Sequence, residues 1–438
     1  MLNNNNNFAL VLILVLIFSY LVIADLSIFS KSEKVLQSTK IFLTDPNLKL
    51  VICETIGLKH DVDIYHSDLE KLIELDASNR DISNLNGLEY ATNLTHIDIQ
   101  CNQIYDLTPI ANLSQLNYIN FDENCISDIS PISTLTNLIG ACFNENEIAD
   151  IPPLTNLTNL KWLCLSGNQI IDITPISTLI GLNELDLRKN WIDNINPISS
   201  LYNLTNLYLG TNRVSDISFI SKLANLIELD LYNNQITNIS SLANLINLTN
   251  LILSKNQITD ISPLSEHINL IELDLHNNQI IDILPLKNLT NLTKLNIYMN
   301  KMHDLLPLAN LTNLSILSIG KDKKSYFLEF FKIHLPWYEK KYTYDLTPLT
   351  NLTNLKHLTI WRNNVSDISP LVNNKGLTKG THIYFWKNHL NQKSIDAYIP
   401  ILEKRGVVVS IEHSNILNKI HIIFKILNRI AQYFHLKK

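Results

Sequence analysis

The chain has 438 residues, of which 46% are hydrophobic and 17% are charged, and its formal net charge is −6. This length and apolar content suffice for a continuous hydrophobic core. The negative net charge argues against general nucleic-acid binding. The five cysteines cannot all pair with one another, because their number is odd.

An uncharged apolar segment, residues 8–24, lies near the start of the chain. It is long for the apolar part of a signal peptide and short for a membrane-spanning helix. We therefore predict that residues 1–24 are a signal peptide or a membrane anchor, that residues 25–40 are a linker, and that the protein is exported, either secreted or attached to a membrane. Lys31 and Lys34 follow the segment, so an uncleaved helix would instead leave the rest of the chain in the cytoplasm, which is the alternative.

Residues 41–76 contain two helix-start signals. Asp45 precedes Pro46, which suits the first helical position, and Gly57 supplies a stop. Ser67 and Glu70 have the spacing of a capping box. These signals predict two helices that form an N-terminal cap.

A 22-residue repeat occupies residues 77–390, and its clearest mark is an asparagine in constant register. The series is Asn102, Asn124, Asn146, Asn168, Asn190, Asn212, Asn234, Asn256, Asn278 and Asn300. The surrounding pattern LxxLxLxxN is that of leucine-rich repeats, and it predicts an α/β solenoid, a curved right-handed superhelix with a parallel concave β-sheet. An asparagine amide both donates and accepts hydrogen bonds, so we predict that this ladder satisfies buried backbone groups and is not catalytic.

Proline recurs in the second half of the repeats, as in the sequence Asp-Ile-Ser-Pro-Leu at residues 260–264. Proline at this period leaves no room for a long helix, so short 3₁₀ or extended segments are predicted on the convex side. About fourteen coils fit between Leu72 and Leu390, and at roughly 4.8 Å per strand they would form a sheet on the order of 60 Å long.

The sequence NQITDISPL at residues 256–264 and the recurring NLTNL resemble the internalin-type repeats of bacterial surface and secreted proteins. Residues 41–76 are similar to the helical N-terminal cap of that family. Residues 391–412 resemble the usual C-terminal end of bacterial repeats, with Asn391 capping a helix that reaches Lys404. We expect that helix to kink before Pro400 and to stop at Gly406. The resemblance implies a protein that binds other proteins, with ligands that differ between members.

Large aromatic side chains recur at outward positions of the predicted strands, where a merely solvated sheet does not need them. They are Tyr118, Trp162, Tyr208, Tyr232, Tyr298, Trp361, Tyr384 and Trp386. Exposed Trp and Tyr are typical anchors of protein interfaces, so we predict a ligand-binding concave face. The alternative is that the rings only shield the sheet.

Acidic pairs recur on the same face every 44 residues. They are Glu184 and Asp186, Glu228 and Asp230, and Glu272 and Asp274. The acidic strands are about 9.6 Å apart, which is too far for carboxylates on different strands to share a proton or a metal ion. They are candidate ligand contacts, and the alternative interpretation is a solvated acidic stripe.

Two segments depart from the repeat. An insert at about residues 323–342 is rich in aromatic side chains, and its candidate contact residues are Phe330, Phe331, Trp337 and Tyr338. It could form a binding loop or a short amphipathic helix packed on the core. Residues 413–438 have apolar residues at three- and four-residue spacing among basic ones, which predicts a basic amphipathic helix that covers the end of the solenoid or lies on an anionic membrane. Residues 8–24 and 414–438 are thus the two candidates for membrane association.

No catalytic motif is present: there is no Gly-x-Ser-x-Gly, phosphate loop or His-Glu-x-x-His. His357 and His382 share an outward column of neighbouring strands, but no cysteine or carboxylate lies beside them in that column to complete a metal site. Cys142 and Cys164 share another and could come within disulfide reach, although we expect free thiols. We therefore predict a monomeric, non-enzymatic protein that binds a protein ligand and uses no cofactor, metal or nucleic acid. The alternative function is a cytoplasmic regulatory scaffold of the phosphatase-regulator type.

Overall fold

The computed structural model describes residues 39–320 and 344–411, and the chain divides into two compact units after Asn234. The first unit begins with a short antiparallel pair, β1 (Lys40–Ile41) and β2 (Ile64–Tyr65). Between these strands lies helix α1 (Pro46–Ile56). Its N-cap is Asp45, and Gly57 ends it in the left-handed conformation at φ 73°. The predicted start and stop of this helix are confirmed.

The predicted capping box at Ser67 and Glu70 is wrong. Helix α2 spans only His66–Leu69, and its N-cap is Tyr65. The Asp68 carboxylate accepts a hydrogen bond from the Tyr65 N–H at 3.0 Å and a second one from Lys71 Nζ at 2.8 Å. Because Asp68 reaches the first free N–H group of the helix, it takes the capping role that the sequence pattern gave to Glu70.

Eight parallel strands follow in the first unit, 22 residues apart. They are β3 (Glu74–Asp76), β4 (His96–Asp98), β5 (Tyr118–Asn120), β6 (Gly140–Cys142), β7 (Trp162–Cys164), β8 (Glu184–Asp186), β9 (Asn206–Tyr208) and β10 (Glu228–Asp230). Adjacent strands pair in constant register, so that Trp162 is opposite Glu184 and Leu163 is opposite Leu185. The returns between these strands are single 3₁₀ turns, such as Thr174–Thr178. Most have proline near the start, and Leu88–Tyr90 and Ser218–Lys222 do not. The predicted convex 3₁₀ segments are therefore confirmed.

Seven parallel strands form the sheet of the second unit. They are β11 (Asn250–Ile252), β12 (Glu272–Asp274), β13 (Lys294–Asn296), β14 (Ile316–Gly320), β15 (His357–Trp361), β16 (His382–Trp386) and β17 (Val408–Ile411). Strands β14 and β15 pair directly, with Ile316 opposite His357. The insert between them therefore does not interrupt the sheet, and its residues lie outside those that the structure describes.

The C-terminal end of the second unit contains helix α3 (Ser369–Asn373), a π-helical turn (Ser394–Tyr398) and helix α4 (Ile399–Lys404). Asn391 Oδ1 accepts a hydrogen bond from the Ser394 N–H at 2.8 Å, so the predicted cap is confirmed. The π turn ends two residues before Pro400. Since proline has no N–H to donate, a hydrogen bond of the helix is missing there, and the kink before Pro400 stays a prediction.

The core consists of columns of leucine and isoleucine. In one coil Leu226, Leu229 and Leu231 are at most 1% exposed. Under them runs the asparagine ladder: Asn190 Oδ1 accepts the Ile170 N–H at 2.9 Å, and Asn190 Nδ2 donates to the Leu165 carbonyl oxygen at 2.8 Å. The amide thus pairs backbone groups of neighbouring coils, which confirms its structural role.

The residue before each of these ladder asparagines has a positive φ. The series is Cys101, Glu123, Glu145, Gly167, Lys189, Thr211, Asn233, Lys255, Asn277 and Met299, with φ between 52° and 71°. Only one of them is glycine, so the left-handed turn is held by the ladder hydrogen bonds and not by residue type.

None of the helices within residues 39–320 and 344–411 is long and apolar enough to cross a membrane.

Candidate protein-binding site on the outward strand faces

Outward positions of a three-residue strand are its first and third residues, because successive side chains point to opposite sides of a sheet. In β9 these are Asn206 and Tyr208, both half-buried, while Leu207 between them is fully buried. Tyr118, Trp162, Tyr208, Trp361, Tyr384 and Trp386 all lie at such positions. Tyr232 and Tyr298 do not: each lies two residues beyond its strand, on the turn that follows β10 or β13.

The first aromatic group consists of His96, Tyr118 and Trp162 in the first unit. The ring centroids of His96 and Tyr118 are 6.0 Å apart, and those of Tyr118 and Trp162 are 6.2 Å apart. The indole of Trp162 lies over Gly140, where an added Cβ would be 2.1 Å from the ring. Only glycine leaves room for this arrangement. Burial raises the pKa of Tyr118 to about 12, so its hydroxyl is protonated at neutral pH.

A polar network joins strands β8, β9 and β10. Arg188 Nε donates to Asp186 Oδ1 at 2.9 Å, and the guanidinium carbon lies 5.0 Å from the centroid of the Tyr208 ring. The Tyr208 hydroxyl donates to Glu228 Oε2 at 2.9 Å. Burial raises the pKa of Tyr208, and the negative charge of Glu228 adds to this effect. Partial desolvation likewise raises the pKa of Glu184, to which Asp186 and Glu228 also contribute.

The carboxylates at the third strand position serve the fold. Asp186, Asp230 and Asp274 are only 5–6% exposed. Each accepts the backbone N–H two residues later, at 3.0 Å from Arg188, 2.8 Å from Tyr232 and 3.0 Å from His276. A solvated acidic stripe is therefore wrong for these three residues. The alternation of side chains along the strand predicted that these carboxylates point outward. It did not predict that the following turn buries them.

The first-position glutamates are more accessible. Glu184 is exposed, while Glu228 and Glu272 are half-buried. Glu272 forms an ion pair with Lys294, its partner on the next strand. Of the six carboxylates, these three glutamates keep the side-chain access that contact with a ligand requires.

The C-terminal aromatic group occupies strands β15 and β16 and the turn after β13. It consists of Tyr298, His357, Trp361, His382, Tyr384 and Trp386. The ring centroid of Trp361 lies 5.7 Å from that of Tyr298 and 5.3 Å from that of Trp386. Tyr384 is 5.2 Å from Trp386, and its ring also stacks on His382 at 6.5 Å.

The rings of this group are half-buried, except that of His357, which is exposed. The group is therefore a continuous aromatic surface. The sequence identified four of its six rings as binding residues, and it placed the two histidines in one column without linking them to the tryptophans.

A shallow groove of about 580 Å³ lies at the entry to strands β11–β13, away from the aromatic rings. It is lined by Asn247, Thr249, Asn269, Ile271, Asn291 and Thr293. Asn269 Nδ2 already donates to the Ile246 carbonyl oxygen and Asn291 Nδ2 to that of Ile268. No group of three or more His, Cys, Asp or Glu that could hold a metal ion occurs in the described part of the chain. Phe330, Phe331, Trp337 and Tyr338 lie outside that part.

Comparison with known proteins agrees with this architecture. The family model for leucine-rich repeats in two copies matches residues 158–202, 180–222, 224–266 and 246–288. The structure of an internalin, InlF from Listeria monocytogenes, is 29% identical with a TM-score of 0.60, over 71% of this chain and 94% of that one. The functional domain of Listeria monocytogenes InlJ, described as including a cysteine ladder, is 21% identical with a TM-score of 0.60, over 78% of this chain and 80% of that one.

A more distant structure is the ectodomain of the Arabidopsis thaliana receptor kinase GASSHO1/SCHENGEN3, solved in complex with Casparian strip integrity factor 2. It is 21% identical with a TM-score of 0.57, over 80% of this chain and 46% of that one. No curated protein sequence is significantly similar to this chain.

The repeat, the sheets of both units and these matches define a leucine-rich repeat protein, a class that typically serves as an interaction scaffold and not as an enzyme. Within that class the chain is of the internalin type.

Proposed function

We propose that the protein is exported and binds a protein ligand, a host factor or an adhesion partner, through the outward strand faces. The observation that carries the proposal is the C-terminal aromatic group. Its Tyr and Trp rings contact one another edge to face or in tilted pairs, which are favourable geometries for aromatic side chains, and its histidine rings are stacked. Each ring is thus held by its neighbours before a ligand arrives, and less side-chain entropy is lost on binding.

The contacts between the rings also argue against shielding alone. Leu358 and Ile360 are 0% exposed and point to the opposite side of β15 from Trp361. The rings therefore lie on the other face of the strand from the core residues, and Trp361 and Trp386 retain accessible surface. Large, rigid and half-buried rings are the side chains that most often dominate binding energy. We assign the same role to the first aromatic group and to Tyr208, Tyr232, Glu184, Glu228 and Glu272.

Relatives support a protein ligand in general terms. The plant ectodomain with the same fold was solved with a bound factor, and this ligand is a property of that receptor. Export of this chain rests on the apolar residues 8–24, which lie outside the described residues. The competing function, a cytoplasmic scaffold, rests on Lys31 and Lys34 and predicts that the repeats stay inside the cell.

Two measurements test the proposal. The first is sequencing of the N-terminus of the protein recovered outside the producing cell, which we expect to begin near Asp25. Recovery of the intact chain only from the cytoplasm would support the scaffold function instead.

The second is affinity capture followed by titration of the purified partner against matched variants. Trp361→Ala and Trp386→Ala should each weaken binding about tenfold, as expected for hot-spot rings worth roughly 1–2 kcal/mol. Tyr105→Ala is the control, because Tyr105 is 63% exposed and lies outside the strands. If both tryptophan variants bind as tightly as the control, the aromatic surface is not the binding site.

A further inference from the structure

Two cysteines face each other on the outward side of the first unit. Cys142 ends β6, Cys164 ends β7, and these two residues are register partners in the parallel pair. Their Sγ atoms are 2.8 Å apart, with the Cys142 thiol donating to Cys164 Sγ. Both are free thiols and are half-buried. Adjacent strands lie about 4.8 Å apart, within the range of roughly 4.4–6.8 Å over which Cα atoms can be bridged by a disulfide.

Neither cysteine has the structural role that the third residue of the strand has in other coils. In β8 the third-position Asp186 accepts the N–H of Arg188, two residues later. In the two cysteine coils the corresponding N–H groups bond to the preceding coil instead. The Asn144 N–H donates to Asp122 Oδ1 at 2.6 Å, and the Ser166 N–H donates to Asn144 Oδ1 at 2.8 Å.

The turns after β6 and β7 are therefore complete without the cysteine side chains. Sulfur is a weak acceptor, and neither thiol is needed to satisfy a backbone donor at these positions. The pair can change its oxidation state while the backbone hydrogen bonds of the coils stay in place.

We propose that Cys142 and Cys164 form a disulfide modification site that reacts with a low-molecular-weight disulfide such as oxidised glutathione. The thiolate of one cysteine attacks a sulfur of the small disulfide, breaks its S–S bond and releases one small thiolate. The second cysteine then attacks the protein sulfur of the mixed disulfide and releases the other. Two protein thiols are oxidised, one small disulfide is reduced to two thiols, and the two protons pass to those thiols.

The bond would join two neighbouring coils at strands β6 and β7. It closes a loop of one repeat, so it restricts the unfolded chain and should raise resistance to unfolding. Cys53 is fully buried, and Cys101 and Cys125 lie outside the strands, so the other thiols lack this register relationship.

The test is oxidation of the purified chain with oxidised glutathione, followed by unfolding, alkylation and peptide mapping. We expect a Cys142–Cys164 peptide to appear and neither of these two cysteines to keep a glutathione adduct, whereas the exposed Cys125 has no second thiol in register and can keep one. Oxidation should raise the Tm of the wild type. The matched control Cys125→Ser should still form the bond and show the same rise.

Cys142→Ser and Cys164→Ser should retain one glutathione adduct at the remaining cysteine and show no such rise, with circular dichroism confirming that both variants fold. Three results would overturn the proposal. They are Cys142 and Cys164 that both remain free thiols in the oxidised wild type, a disulfide that maps to another pair, or a reaction that stops at a mixed disulfide of Cys142 or Cys164.

Discussion

The imidazole rings of His357 and His382 stack on neighbouring strands, with 5.4 Å between their centroids and 10° between their planes. Although His357 is exposed in part, its packing against neighbouring groups desolvates the ring and lowers its pKa, and the charge of the neighbouring His382 lowers the pKa further. A free histidine has a pKa of about 6.5, so both observations describe a stack that favours a neutral ring. His357 is therefore the residue of the C-terminal aromatic group for which we derive a pH dependence.

Acid should therefore weaken the stack. Because the folded-state pKa of His357 lies below that of the unfolded chain, the unfolded state binds more protons as the pH falls below about 6.5. The stability that the neutral ring supplies is present above that pH and is lost below it. Histidine C–H resonances measured by NMR should give a His357 midpoint below 6.5, and His382→Gln should raise it. A wild-type midpoint at or above 6.5 would contradict the interpretation.

A second histidine is buried in a leucine column. His267 is 0% exposed and lies where the neighbouring coils have Leu245 and Leu289. Neither ring nitrogen makes a hydrogen bond of good geometry within the described residues. Burial lowers the pKa of His267, and the nearby backbone groups of Leu242 and Leu264 oppose this shift without outweighing it. His267→Leu should therefore raise the free energy of unfolding by about 1–3 kcal/mol and reduce its decline below pH 6.5. Urea unfolding at pH 5.5 and 7.5, about one unit on either side of the usual histidine pKa, measures both effects.

The reverse change provides the control for that prediction. Leu245→His introduces the same buried ring one coil earlier, and it should destabilise the protein by a similar amount. If His267→Leu is less stable than the wild type, the ring makes a favourable interaction that outweighs its burial, and the prediction is wrong.

The asparagine ladder should be far more sensitive than the asparagines at the surface. Asn190 is 4% exposed, and its amide bonds to backbone groups of two coils. Asn190→Ala leaves these groups buried without partners and should cost about 2–4 kcal/mol in unfolding free energy. Asn203 is the matched control, because its Nδ2 donates to the Ile180 carbonyl oxygen at 2.9 Å on the exposed surface. Asn203→Ala should cost less than about 1 kcal/mol, and equal costs would refute the distinction.

The fold was predictable because its signals are periodic. The constant spacing of Asn190 and its counterparts predicts the asparagine ladder. Pro46 and Gly57 predict the start and end of a helix through their backbone preferences, which depend on no tertiary contact. The site was less predictable because its details depend on neighbouring coils. Asp186 has an outward strand position in the sequence, yet the turn after it leaves the carboxylate buried.

Other features have no local signal at all. A positive φ at Lys189 is imposed by the hydrogen bonds of the ladder, and lysine does not indicate it. The edge-to-face contact of Trp361 with Trp386 depends on side-chain rotamers that strand alternation does not determine. Gly140 is the exception: a glycine beside an aromatic column is a visible sign that a ring crosses the strand there.

Asp45 links the N-terminal helix to the first coil, and its replacement should destabilise both. Its Oδ1 accepts the N–H groups of Asn47 and Leu48 at 2.9 and 3.1 Å, while Oδ2 accepts those of Ser83 and Asn84 at 2.8 and 3.3 Å. Burial acts to raise the pKa of Asp45, but these four backbone hydrogen bonds outweigh it and hold the pKa below its usual value.

Asp45→Ala removes an N-cap and a tertiary contact together, so we expect a loss of about 2–3 kcal/mol. Asp45→Asn keeps one acceptor oxygen and should lose about half as much. Because the folded pKa is depressed, the advantage of the wild type over Asp45→Ala is present above the unfolded pKa of about 3.9 and shrinks as the pH falls through the folded value. Urea unfolding of the three proteins at pH 7 and near pH 3 measures this difference. If the alanine variant matches the wild type at pH 7, the carboxylate does not hold the helix to the repeats.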